Sequence, residues 1–203
     1  MRLLVVLGIT CSMLLWGGGV FQPAQASEAS PMVKAVLDRA MEIQTRPDLA
    51  GENHRPERRR LIRQLILDSF VFAEMSRDAL KDNWDRIAPG QRSEFQRLFS
   101  DVFQDSYTRM VLNFLQQETI DYKGETAESS GMLVKTVILR ANEHNPVDYH
   151  VVQKGGRWLI RDVEIDGVSI VENYRSTFGQ VIRTSSVDNL LKKMRLQSQV
   201  LRD

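Results

Sequence analysis

The chain has 203 residues, and its 27 Lys and Arg residues nearly balance 26 Asp and Glu residues, for a formal charge of +1. This balance argues against a nucleic-acid-binding protein, which usually shows a clear basic excess. A single cysteine excludes a disulfide framework and a cysteine-based metal site. Three histidines, His54, His144 and His150, are too few and too scattered to indicate a zinc site. We therefore predict neither a metal nor a cofactor.

The N-terminus has the pattern of a secretory signal peptide. Arg2 supplies the positive start, and residues 3–16 form an apolar run that is shorter than the roughly 20 residues needed to span a bilayer. Ala24 and Ala26 then give the small-x-small pattern of a cleavage site. We expect residues 1–26 to be removed before Ser27, which leaves residues 27–203 as one exported domain in the periplasm.

Three helices are predicted in the first half of this domain. The first runs from Ser30 as N-cap and Pro31 as first helical residue to the pair Arg46-Pro47. The second begins at Pro56 and continues to a stop near residues 82–83. The third covers residues 89–117, where apolar residues recur at steps of three and four along one face.

The periodicity then changes from helical to alternating, which indicates strands at residues 119–123, 132–141, 147–154 and 157–165. Gly155-Gly156 predicts a tight hairpin between the last two strands. Counting back from this turn pairs Val151 with Ile160, Tyr149 with Asp162, and His150 with Arg161. Tyr149, Val151, Trp158 and Ile160 then share one face of the sheet.

Two helices are predicted to close the chain, at residues 169–183 and after a Ser186 cap. Helices, an antiparallel meander and further helices in that order predict an α+β fold in which helices cover one face of the sheet.

Few residues fit a known catalytic pattern. Ser169 lies in a stretch that lacks the second glycine of a nucleophile elbow, so it is better explained as a helix cap. The predicted neighbours Tyr149 and Asp162 could act as an acid–base pair in an isomerase. The alternative is that the Asp162 carboxylate only satisfies nearby donors at a strand end.

Residues 158–178, WLIRDVEIDGVSIVENYRSTF, closely resemble the signature of the MlaC family. The matching elements are Trp158, Asp162-Val163, residues 167–169, Tyr174-Arg175 and Phe178. Residues 72–84 and 91–107 are similar to the family's helical half, so the resemblance extends over about residues 60–196.

The resemblance implies a periplasmic carrier, not an enzyme, that binds phospholipid as cargo. Such a carrier would shuttle lipid between an outer-membrane lipoprotein–porin complex and an inner-membrane ABC transporter complex with its MCE-type component. The implied fold is a curved antiparallel sheet packed by helices around a deep apolar pocket, as in MlaC-like and NTF2-like domains, and the implied state is a monomer. Two acyl chains of about fifteen methylenes each, at about 0.8 kcal/mol per methylene, amount to roughly 24 kcal/mol, so such a pocket must enclose most of their length.

The apolar faces assigned above supply the expected lipid contacts, which depend on the strand register. These are Phe72, Phe99, Phe103, Tyr107, Met110, Phe114, Val134, Tyr149, Val151, Trp158, Ile160, Val168 and Tyr174. Two alternatives stay open: a carrier of a hopanoid or another polycyclic lipid, and a small-molecule isomerase or hydrolase in an NTF2-like cone.

Overall fold

A computed structural model describes residues 28–140 and 143–200. The predicted signal peptide lies outside these residues. The helices are α1 (Ala29–Thr45), α2 (Arg55–Ser69), α3 (Phe72–Leu80), α4 (Pro89–Phe114), α5 (Ile170–Thr184) and α6 (Val187–Val200). The strands are β1 (Thr119–Glu128), β2 (Gly131–Arg140), β3 (Glu143–Lys154), β4 (Arg157–Ile165) and β5 (Val168–Ser169).

The five strands form one antiparallel sheet in the order β1-β2-β3-β4-β5, and the sheet does not close on itself. Gly155 and Gly156, both at positive φ, form the predicted tight turn between β3 and β4. Helices α1, α3 and α5 contact the sheet, and α4 packs against α2, α3 and α6. The predicted α+β class is confirmed.

The first half of α4 fills the hydrophobic core. Phe95, Phe99 and Phe103 recur every four residues, are buried, and pack against the rings of α5. In the part of the chain that the structure describes, no helix is both long enough and apolar enough to cross a membrane.

The predicted second helix is interrupted at Phe70 and Val71, so it forms α2 and α3. Phe70 is extended and makes a parallel bridge with Ile160 of β4, where the Val71 amide donates to the Ile160 carbonyl at 2.9 Å. The Phe70 ring is buried 5.4 Å from the ring of Phe103 and 5.3 Å from that of Tyr107. A continuous helix could not make both the strand bridge and these contacts.

The predicted register of β3 and β4 is right only near the turn. Val151 pairs with Ile160 as expected, but a β-bulge follows, so His150 pairs with Asp162 and Tyr149 pairs with Val163. The bulge resets the alternation of β4, so that Val163 enters the core and the Asp162 carboxylate does not. The predicted pairs Tyr149–Asp162 and His150–Arg161 are therefore wrong.

Candidate functional site

An apolar cavity of about 290 Å³ lies between α1, α2, the C-terminal end of α4 and the sheet. One wall comes from α1 and α2. Val36, Leu37 and Ala40 face it from α1, and Ile62 and Ile66 face it from α2. Their spacing of three to four residues places each set on one helical face, so both helices present only apolar side chains to this space.

The last two turns of α4 form the second wall. Tyr107, Met110, Val111 and Phe114 line the cavity from this helix. Phe114 follows Tyr107 by seven positions, which corresponds to about 10 Å along the helix axis. Phe114 is 59% exposed, so its position marks the open side of the cavity.

The sheet supplies the third wall through residues of β2, β3 and β4. Ile138, Val147, Tyr149, Ile160 and Ile165 face the cavity. Val147 and Tyr149 are alternate residues of β3, as expected for side chains on one face of a strand. The bulge in β4 allows both Ile160 and Ile165 to face the same side, although they are five positions apart.

Two tyrosines meet in the interior of the cavity, away from Phe114. The hydroxyl groups of Tyr107 on α4 and Tyr149 on β3 hydrogen-bond to each other, which links the helical wall to the sheet. Burial raises the pKa of both phenols above the ordinary value, so both remain neutral at physiological pH. This pair adds a polar contact to the cavity without adding a charge.

The mouth of the cavity is polar on the sheet side. Arg140, at the end of β2, lies opposite Glu143, at the start of β3, and Asn145 follows on the same face. The Arg140 guanidinium lies 5.7 Å from the centre of the exposed Phe114 ring. Its Nε is 3.7 Å from Glu118 Oε1.

Of the expected lipid contacts, Tyr107, Met110, Phe114, Tyr149 and Ile160 line this cavity. The others lie elsewhere, and three environments account for them. Buried in the core are Phe99, Phe103, Val134 and Val151; partly buried against the core are Phe72, Trp158 and Tyr174; Val168, in β5, is 57% exposed. Lipid contact by any of these residues stays a prediction.

Sequence reasoning missed the contribution of α1 and α2 to the cavity. The expected lipid contacts include no residue of α1 or α2, although Leu37, Ala40, Ile62 and Ile66 line the space. The apolar stripes of both helices are visible in the sequence. Nothing in them distinguishes a helix that packs tightly on its neighbour from one that stands away from it.

The acid–base pair considered for an isomerase does not form. Asp162 accepts hydrogen bonds from the amides of Val163 at 2.8 Å and Val171 at 3.0 Å, and from the Ser169 hydroxyl. Ser169 in turn accepts from the Glu172 amide at 2.9 Å, which confirms it as the N-cap of α5. These contacts agree with the structural explanation of Asp162.

Comparisons with known proteins agree with this geometry. One solved structure, a phospholipid-binding protein from Ralstonia solanacearum in complex with a phospholipid, superposes with a TM-score of 0.73 at 22% identity, covering 87% of this chain and all of that one. The "Intermembrane phospholipid transport system binding protein MlaC" of Haemophilus influenzae is 23% identical over 109 residues, which are 51% of this chain and 51% of that relative. The chain thus matches about half of the length of this relative. Residues 34–196 match the sequence profile described as MlaC protein. Because this match extends over most of the chain, the protein belongs to the MlaC family.

Proposed function

We propose that the protein is a periplasmic phospholipid carrier that holds acyl tails in the cavity between α1, α2, α4 and the sheet. The observation on which the proposal rests is the cavity itself: its walls are apolar, its interior is uncharged, and its charged side chains, Arg140 and Glu143, stand at the mouth. This arrangement suits a ligand with a long apolar part and a charged end.

The energetics of lipid favour an enclosing site over a surface site. Each methylene that leaves a membrane for water costs about 0.8 kcal/mol, so a carrier must cover most of a tail to compete with a bilayer. The hydrogen bond between Tyr107 and Tyr149 reduces the number of unpaired polar groups that a tail meets in the cavity.

The family and its relatives support the same proposal. The Haemophilus influenzae relative is described as part of an intermembrane phospholipid transport system, and the Ralstonia solanacearum structure contains a phospholipid. In the proposed cycle this chain takes lipid from one membrane complex and delivers it to another. The two complexes are an outer-membrane lipoprotein–porin complex and an inner-membrane ABC transporter with its MCE-type component. Docking to either would shift the cavity towards an open state by binding that state more tightly.

Native mass spectrometry of the protein purified without detergent, followed by organic extraction, tests the proposal. We expect discrete adducts that extract as diacyl phospholipids. A polycyclic lipid in the extract would replace phospholipid as the cargo. A lipid-free mass that persists after incubation with phospholipid vesicles would refute the carrier.

A matched pair of variants on α4 tests the location. Met110→Glu places a carboxylate on the cavity wall, whereas Asn113→Glu places the same charge on the exposed side of the same helix. We expect Met110→Glu to lower lipid occupancy at least about tenfold. Tail binding must then remove the carboxylate from water, and the free-energy cost of this desolvation exceeds about 1.4 kcal/mol, which is a factor of ten in affinity. Asn113→Glu should retain normal occupancy, and equal occupancy in both variants would place the lipid elsewhere.

A further inference from the structure

The mouth of the cavity holds two opposite charges side by side. Arg140 and Glu143 are directly opposed partners on β2 and β3, so their side chains leave the same face of the sheet. Directly opposed residues have Cβ atoms about 4.5–5.5 Å apart. Among the described residues, neither group forms a hydrogen bond, and no ion pair joins the two. Arg140 forms an ion pair with the largely buried Glu118, whose Oε1 lies 3.7 Å from Arg140 Nε, a distance that is too long for a hydrogen bond.

Arg140 differs in this respect from arginines that have a structural role in the same fold. Arg161 donates to Asp78 at 2.8 Å and to Ser130 at 3.0 Å, and Arg58 donates to the Gly51 carbonyl at 2.8 Å. Arg140 is instead positioned by the ion pair with Glu118 and by the face of the Phe114 ring, and neither contact forms a hydrogen bond with its N–H groups. A guanidinium presents these donors in a planar fork that matches two oxygens of a phosphate.

We propose that Arg140 binds the phosphodiester of the cargo's headgroup and that Glu143 binds an ammonium group at its far end. The mouth thereby selects zwitterionic phospholipids over anionic ones. This inference rests on the proposed carrier function and adds a headgroup preference to it. The two charges of the headgroup and the two charges of the mouth are complementary. The phosphate contacts the Arg140 guanidinium beside the exposed Phe114, and the ammonium contacts the neighbouring Glu143 carboxylate. An anionic headgroup that ends in hydroxyls satisfies Arg140 but offers no cation to Glu143.

Competitive loading tests the proposal. Delipidated protein is incubated with vesicles that contain equal amounts of phosphatidylethanolamine, phosphatidylglycerol and diacylglycerol with identical acyl chains, and the bound lipid is extracted and quantified. We expect the unmodified protein to take up phosphatidylethanolamine in severalfold excess over phosphatidylglycerol.

The variants separate the two contacts. Arg140→Ala should lower uptake of both phospholipids about tenfold relative to diacylglycerol, while Arg140→Lys retains part of the phospholipid uptake. Glu143→Gln should lower phosphatidylethanolamine uptake to the level of phosphatidylglycerol. Arg157→Ala removes an exposed arginine of β4 that does not line the cavity, so it serves as the control.

Two results would overturn the inference. One is an Arg140→Ala variant that takes up phospholipid as the unmodified protein does. The other is tight binding of inorganic phosphate that depends on Arg140 while phospholipid uptake does not, since this would show a site for free phosphate. If the unmodified protein takes up no lipid at all, the carrier function itself fails. If it takes up lipid but the variants at Arg140 and Glu143 have no effect, only the headgroup assignment fails.

Discussion

Phe103→Ala should destabilise the fold strongly while leaving the cavity between α1, α2, α4 and the sheet intact. The Phe103 ring is 1% exposed, and its centre lies 5.4 Å from that of Phe70, 5.5 Å from Tyr107 and 5.7 Å from Phe72. Truncation of a buried phenylalanine costs about 3–5 kcal/mol in all, and the loss of several ring pairs favours the upper part of that range. We expect a loss of about 4–5 kcal/mol. At about 2–4 °C per kcal/mol for a chain of this size, the Tm should fall by roughly 8–20 °C.

Urea unfolding of delipidated protein, followed by circular dichroism, measures this loss. The midpoint should fall while the slope stays unchanged, because the exposed surface on unfolding is nearly the same. Phe103→Leu keeps most of the volume and should cost less than half as much. Lipid occupancy of the folded Phe103→Ala protein should stay within about twofold of normal. A variant with nearly normal stability and tenfold less lipid would show that Phe103 is a cavity wall and that the core assignment is wrong.

Three further predictions concern the tyrosine pair, the histidine of β3 and a hairpin glycine. Tyr107→Phe and Tyr149→Phe should each cost about 1–3 kcal/mol because one buried hydroxyl loses its partner, while the double variant costs less than the sum of the two. Urea unfolding of all four proteins measures this, and additive costs would contradict the pairing. For His150, burial opposes the charged form, but hydrogen bonds to two flanking glutamates outweigh it and raise its pKa above 6.5. The histidine therefore stabilises the fold most below pH 6.5, and this contribution declines as the pH rises through its folded-state pKa. The unfolding free energy of the unmodified protein minus that of His150→Gln should accordingly shrink between pH 5 and pH 8, and a constant difference would refute the assignment. Gly131→Ala should cost about 1–3 kcal/mol in the same urea assay, since its Cβ would lie 1.9 Å from a β3 carbonyl oxygen. Gly90→Ala, in open space on α4, should not destabilise the protein, and equal costs for the two would argue against the clash.

Features set by short stretches of sequence were predictable. The Gly155-Gly156 turn and the caps formed by Ser169 and Ser186 depend on a few consecutive residues, and all are present as expected. The cap proposed at Ser30 is wrong, because the helix begins at Ala29 and the Ser30 hydroxyl instead donates to Glu125 at 2.7 Å. That partner is 95 positions away, so no local pattern could indicate it.

The helix break at Phe70 and the bulge in β4 also depend on contacts between residues that are distant in the sequence. The amide beyond Phe70 finds its acceptor on Ile160, and the bulge allows Arg161 to reach Asp78 on α3. In the sequence, helical periodicity continues through Phe70 and strand alternation continues through the bulge in β4. Each interruption is favoured only once the distant element that it contacts, β4 for the helix break and α3 for the bulge, is in place.

The candidate site could be predicted only in part, because it too depends on distant elements. A single apolar stripe runs along α4, and the residues in it are chemically alike. Tyr174 and Phe178 of α5 cover the part that contains Phe95 and Phe99, at ring distances of 5.4–5.5 Å. The last two turns face α1 and α2 across the cavity instead. The division of the stripe into core and cavity is thus set by neighbouring helices and not by the residues of α4.

The edges of the sheet bear on how such a protein avoids aggregation. Beyond β4, the sheet ends in the two residues of β5 and the Phe70 bridge, so the last strand of the sheet is very short and the outer edge of β4 is partly occupied. At the other end, β1 is bulged between Tyr122 and Gly124 and has Lys123 and Glu125 along its length. A bent, charged edge is a poor template for the strand of a second molecule. The proposed carrier would open its apolar interior repeatedly, and these edges would offer other copies little backbone on which to assemble.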